Sequence, residues 1–145
     1  DVNISTFNLQ EMINNNLDTL EPYAKINNNV IKVDISKKSI IVKSDEMKMR
    51  QILFNLITNA CKHSENSTID LFIQQQEMDH LHYLSFIVQD TGVGIAKSKL
   101  KEIFEPFSQA DSRDNIKIKV DTKPNGGGPF LSNKIILNIC TTKVD

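Results

Sequence analysis

Cysteine is scarce in this sequence, with two among 145 residues. Cys61 and Cys140 stand apart, outside any CxxC pair or Cys/His cluster. That excludes a disulfide-stapled scaffold and a thiolate zinc site, and it fits reduced thiols in a cytosolic chain. Long hydrophobic runs are missing too: none approaches the roughly 20 residues that a membrane-spanning helix needs. The start, Asp1-Val2-Asn3, is polar and has neither a signal-peptide pattern nor an initiator Met. The expectation is a cytoplasmic piece of a longer protein, with the cytosolic part of a membrane-bound sensor as one form of it, and with no direct membrane contact of its own. An excess of charge of one sign is also absent. The formal net charge is -1, so no global field draws the chain to nucleic acid or to an anionic membrane. Any phosphate-binding site must be built locally.

What remains is ordinary globular material. Hydrophobic residues make up 39% and charged residues 24%, and the length suits one domain, 1–145, around one core. Leu9, Met12, Ile13, Leu17 and Leu20 recur at helical spacing after a strand entry at Thr6. Asn27-Asn28-Asn29 reads as a loop. Val30 to Ile35 alternates as a strand, and Ser39 to Lys43 is a second short one. Ser44-Asp45-Glu46 offers a cap and an acidic first turn to a helix over 47–63. Strands are predicted over 68–75 and 83–90, joined by a polar connection at 78–82. A short helix is predicted over 98–104, a long mobile loop over about 108–125, and a last helix over 131–139. The irregular alternation predicts an α/β (α+β) two-layer sandwich, a mixed sheet with helices on one face.

The helix over 47–63 carries two faces. Ile52, Leu53, Leu56, Ile57 and Ala60 form an apolar one, while Gln51, Asn55, Asn59 and Lys62 fall in a separate narrow stripe. Mg²⁺ wants hard oxygen ligands, and a neutral carboxamide supplies one without adding negative charge near phosphates. Lys62 adds a point charge. Further on, Phe86-Ile87-Val88 runs into Asp90-Thr91-Gly92-Val93-Gly94-Ile95. A strand-end carboxylate accepts a hydrogen bond from an exocyclic amine, and glycines allow the backbone close to a flat ring. Gly126-Gly127-Gly128 precedes the predicted last helix, where exposed N–H groups and the helix dipole favour an anion. Taken singly, the three features are equally well an ordinary solvated helix face, a plain turn and a flexible hinge.

Their order is more specific than any one of them. Arg50 to His63 resembles the N box of histidine kinases, Asp90 to Ile95 their G1 box, and Ile103 to Asp111 their F box. Gly126 to Lys134 resembles a degraded G2 box, with Gly-Gly-Gly-Pro where the family has Gly-Leu-Gly-Leu. Phe7 to Asp45 is similar to the family's leading helix and strands. The resemblance implies the GHKL (Bergerat) ATP-binding fold, with the loop at 108–125 as the ATP lid and the sheet lacking the family's closing strands. It implies Asn59 as the Mg²⁺ ligand, with Asn55 and Lys62 as neighbouring polar contacts and the catalytic pair. Asp90 is implied as the adenine reader, with Gly92, Gly94, Ile95 and His63 beside the purine. Phe104 and Phe107 would anchor the lid base, and Gly126, Gly127, Gly128 and Leu131 would meet phosphate.

The function implied is transfer of the γ-phosphoryl group of Mg-ATP to a histidine on a separate helical domain, dimeric in the parent protein, with a response-regulator receiver downstream. Arg113 or Lys117 would add charge from the lid. A hydrolysing relative would need a glutamate one turn before the metal-binding Asn; Asn55 stands there, and an amide cannot accept the proton. A degenerate nucleotide- or partner-binding module is the alternative that Pro129 keeps open, since it removes a backbone donor. His80 and His82 are expected in a hairpin loop, and Met47 and Met49 as packing residues.

Overall fold

The computed structural model describes residues 3–35, 39–90, 119–121 and 134–141. The chain opens with strand β1, Ser5–Asn8, which runs directly into helix α1, Leu9–Ile26. Asn8 caps that helix: its side-chain oxygen accepts from Glu11 N at 3.0 Å, which satisfies one of the donors that a helix start leaves open. Strand β2 is Val30–Ile35 and β3 is Ile41–Ser44. Asp45 then caps helix α2, Glu46–Lys62, accepting from Lys48 N at 3.1 Å. Strands β4, Thr68–Met78, and β5, Leu81–Gln89, form a hairpin. Strands β6, Lys119–Asp121, and β7, Lys134–Thr141, follow.

β1 and β3 make a two-stranded antiparallel ribbon, and the other strands form one mixed sheet in the order β2-β4-β5-β7-β6. β2 and β4 are parallel, Val30 facing Thr68. Parallel neighbours need a long crossover, usually a helix, and α2 serves as that crossover. Its last turn is therefore delivered to the edge of the sheet where β4 begins. β5 returns antiparallel to β4, with Gln89 opposite Asp70. The end of α2, the start of β4 and the end of β5 thus converge on one corner.

One face of the sheet carries the core. Ile69, Leu71 and Ile73 of β4, Leu84, Phe86 and Val88 of β5, and Leu137 and Ile139 of β7 alternate inward. Against them pack Leu9, Met12, Ile13 and Leu20 of α1 and Met49, Ile52, Leu53, Leu56 and Ile57 of α2. Each such side chain contributes about 1.5–3 kcal/mol of burial. Asn16, buried between the helices, donates from Nδ2 to Arg50 O at 3.2 Å, and Tyr23 meets Phe54 edge to face at 5.4 Å between ring centroids. The two-layer sandwich with a mixed sheet stands as expected.

Four details differ from the sequence reading. The segment expected as a helix over 131–139 is strand β7 from Lys134, paired with β5 on one side and β6 on the other. The alternation of Leu137 and Ile139 inward, supported by three β-branched isoleucines, overrides the helical reading of the same apolar run. The sheet therefore does continue past β5, where closing strands were not expected. β6 lies inside the stretch assigned wholly to a loop over 108–125. The β4–β5 connection is tighter than 78–82: Asp79 and His80 have φ of 54° and 65°, the positive pair that a two-residue hairpin turn requires. His82 is consequently a strand residue rather than a loop one. Met47 does not pack; it is 79% exposed on the first turn of α2, whereas Met49 is buried. The predicted helix over 98–104 lies outside the described residues.

Asn27-Asn28-Asn29 is also more ordered than a loop. Asn28 takes φ 56°, its N–H donates to Lys25 O at 3.2 Å, and the N–H of Asn29 donates to Ala24 O at 2.8 Å. This paired arrangement closes the C-terminus of α1, with Asn in the left-handed position that Gly more often fills.

Candidate functional site

The polar stripe on α2 ends at the corner just described. A cavity of about 460 Å³ lies there, lined from α2 by Asn55, Thr58, Asn59, Cys61 and Lys62 and from the end of α1 by Tyr23, Ile26 and Asn27. Asn55 and Asn59 are half-buried and Lys62 is exposed. The Nδ2 of Asn59 is buried with no hydrogen-bond partner among the described residues. An unsatisfied buried amide costs about 1–3 kcal/mol, a cost that a bound polar group at this position would offset. Gln51 leaves the stripe: it lines a separate groove near the start of α2 with Asn16, Met47, Arg50 and Phe54.

Asp90, directly after β5, is buried. Its carboxylate acts on Cys61: burial first, then charge repulsion from Asp90 and Glu21, together push the Cys61 thiol up to about 11. The strand-end carboxylate and the last turns of α2 are thus electrostatic neighbours. His63 caps α2, half-buried, and its N–H donates to Asn59 O at 3.2 Å. Among the described residues no cluster of three or more His, Cys, Asp or Glu side chains could hold a metal, and His80 and His82 lie at the far end of the β4–β5 hairpin.

The structure therefore brings together Asn55, Asn59 and Lys62, with His63 and Asp90 at the same corner, and separates Gln51 from them. Gly92, Gly94, Ile95, Phe104, Phe107, Arg113, Lys117, Gly126, Gly127, Gly128, Pro129 and Leu131 lie outside the described residues. Thr58, Tyr23 and Ile26 were not anticipated in the cavity wall. Thr58 follows from its place between Asn55 and Asn59 on the helix surface, but no local signal links Tyr23 and Ile26 to α2.

The fold has counterparts among known proteins. The model of the histidine kinase-, DNA gyrase B- and HSP90-like ATPases matches residues 44–140. The chain belongs to that ATPase family. Among curated relatives, the autoinducer 2 sensor kinase/phosphatase LuxQ of Vibrio cholerae is 47% identical over 72 residues, which is 50% of this chain and 8% of LuxQ. The sensor protein GacS of Pseudomonas syringae is 29% identical over 125 residues, 84% of this chain and 13% of GacS. The chain thus spans only a small part of these relatives' length. The catalytic domain of histidine kinase ThkA superposes with a TM-score of 0.66 at 20% identity, covering 97% of this chain and 96% of that one. ThkA in complex with the response regulator TrrA gives 0.65 at 20% identity, over 97% of this chain and 42% of that one. Full-length ShkA in complex with AMPPNP gives 0.66 at 22%, over 99% and 33%. At these identities the solved structures speak for the fold. The family match places the chain among these ATPases, and the curated relatives named here are sensor kinases. No described helix is long and apolar enough to cross a membrane.

Proposed function

We propose that this domain holds Mg-ATP across the corner where α2 and β5 end, and presents the γ-phosphoryl group to a histidine on a separate helical, dimeric domain of the parent protein. The observation that carries the proposal is the buried Nδ2 of Asn59, which has no partner among the described residues, in a cavity shared with Asn55 and Lys62. A carboxamide left open in this way fits a ligand set of side-chain oxygen, phosphate oxygens and water; which end of the amide faces the metal follows from the bound state. Asn59 would hold the Mg²⁺ through its oxygen. The ion would neutralise charge developing on the transferred group. Asn55 and Lys62 would bind and orient the phosphates, and Asp90 would accept from the purine amine. Such transfer depends on positioning and charge neutralisation more than on a strong base. Asn55, which cannot take a proton from water, suits transfer rather than hydrolysis. A response-regulator receiver is the expected next acceptor, by analogy with ThkA and TrrA.

The test is phosphotransfer in trans. The chain, Mg-ATP labelled at the γ position and a helical phosphoacceptor domain should together give an acid-labile, base-stable phosphohistidine. Release of inorganic phosphate with no labelled acceptor would favour a hydrolase. Neither product, with no heat of Mg-ATP binding at millimolar nucleotide, would favour the degenerate module.

A further inference from the structure

The groove around Met47 and Arg50, the exposed edge of β2 and the buried thiols say nothing of what would occupy or modify them. The hydrogen bonds at the end of α2 do carry an inference. Asn29 is buried, yet it lies on the connection after α1, 30 residues before Asn59 in the chain. Its Nδ2 donates to Cys61 O at 2.9 Å and to Ser64 O at 3.0 Å, and its Oδ1 accepts from Ser67 N at 3.1 Å. Asn27 adds a second donor to Cys61 O at 3.1 Å. Around them, Asn66 N donates to Asn27 O at 2.9 Å and Val30 N donates to Ser67 O at 3.0 Å.

A helix end leaves its last carbonyls without partners within the helix. Many helices answer with a glycine turn of their own. α2 has His63 and Ser64 at those positions, and its end is held instead by side chains from another element. The left-handed turn at Asn28 aims Asn29 back at α2, and Val30, the next residue, starts the strand paired with β4. One carboxamide therefore joins the turn that carries Asn59, Lys62 and His63 to the sheet edge, and through β4 and β5 to Asp90.

We propose that Asn29 is a positioning residue for nucleotide binding: with Asn27, it fixes the spacing between the phosphate end of the site on α2 and the purine end at Asp90. This rests on the nucleotide site proposed above. A ligand that bridges two ends gains affinity from their fixed separation and loses it when one end drifts. Asn29 touches no nucleotide itself.

The test compares whole-chain variants by calorimetric titration with Mg-ATP, at a temperature where each is fully folded. Asn29→Asp keeps the acceptor for Ser67 N and removes both donors. Its Mg-ATP dissociation constant is expected to rise about tenfold. Leu137→Ala, a core change remote from the site, is the control for lost stability and is expected to shift it less than about twofold. Asn27→Ala removes the more exposed donor and is expected to weaken binding about threefold; it carries the test if Asn29→Asp does not fold. Wild-type affinity in the asparagine variants, or a loss no greater than the control's, would overturn the inference. If the unaltered chain takes up no Mg-ATP, the nucleotide reading fails instead. Hydrogen exchange then decides the mechanical half: the amides of Lys62 and His63 should exchange about tenfold faster in Asn29→Asp, and unchanged exchange would sink it.

Discussion

Replacing Leu137 by alanine distinguishes a strand from a helix at the end of the chain. Leu137 is fully buried, opposite Phe86 on β5 and Val120 on β6. Its truncation removes buried methyl groups and leaves a cavity, which typically costs about 2–5 kcal/mol. With neighbours on both flanking strands, collapse into the space is restricted, and we expect about 3 kcal/mol. For a chain of this size that lowers the melting temperature by about 10 °C. Ile136 points to the other face and is half-buried, so Ile136→Ala should cost about half as much. Urea unfolding followed by circular dichroism measures both, with equal slopes confirming that the change lies in stability. A helix would place residues 135, 136 and 139 on one face. An inverted order, with Ile136→Ala costlier than Leu137→Ala, would refute the strand assignment and its pairing with β5.

Two further outcomes follow from the helix that carries the site. Asp45 is buried, caps α2 and also accepts from Asn3 N at 2.9 Å, so Asp45→Ala should cost about 2 kcal/mol in the same unfolding assay; a loss below about 0.5 kcal/mol would contradict the cap. The Cys61 thiol, raised by burial first and then by Asp90 and Glu21 to about 11 from 9.0, favours the neutral form in the folded state. Its contribution to stability is whole below pH 9 and is lost as pH rises through about 11. In a Cys140→Ala background, native Cys61 should react with iodoacetamide about a hundredfold more slowly at pH 8 than the urea-unfolded chain; equal rates would place the thiol at the surface.

The legibility of this fold tracks how local each signal is. The α2 stripe was readable because 3.6-residue periodicity and the Asp45 cap act within a few residues. β2 was readable by its alternation, and β4 and β5 as strand-forming runs on either side of a polar connection. β7 did not, since Ile135, Ile136, Leu137 and Ile139 suit a buried strand and a helix equally until a neighbouring strand is known. The role of Asn29 was invisible for a stronger reason. Its partners, Cys61, Ser64 and Ser67, lie 32–38 residues away, and three adjacent asparagines look like a loop unless the left-handed turn at Asn28 is seen. Of the candidate site, Asn55, Asn59 and Lys62 line one cavity, whereas Gln51 lines a separate groove, a difference that angular spacing along one helix does not show.

The central claim is that a carboxamide on α2 and a carboxylate ending β5 grip opposite ends of one nucleotide. Calorimetric titration of Mg-ATP into the unaltered chain, Asn59→Ala and Asp90→Ala addresses it most directly. The account expects measurable heat with the first and at least about a hundredfold weaker binding, or none, with each variant. Binding of undiminished strength in both variants, each shown to be folded, would contradict it.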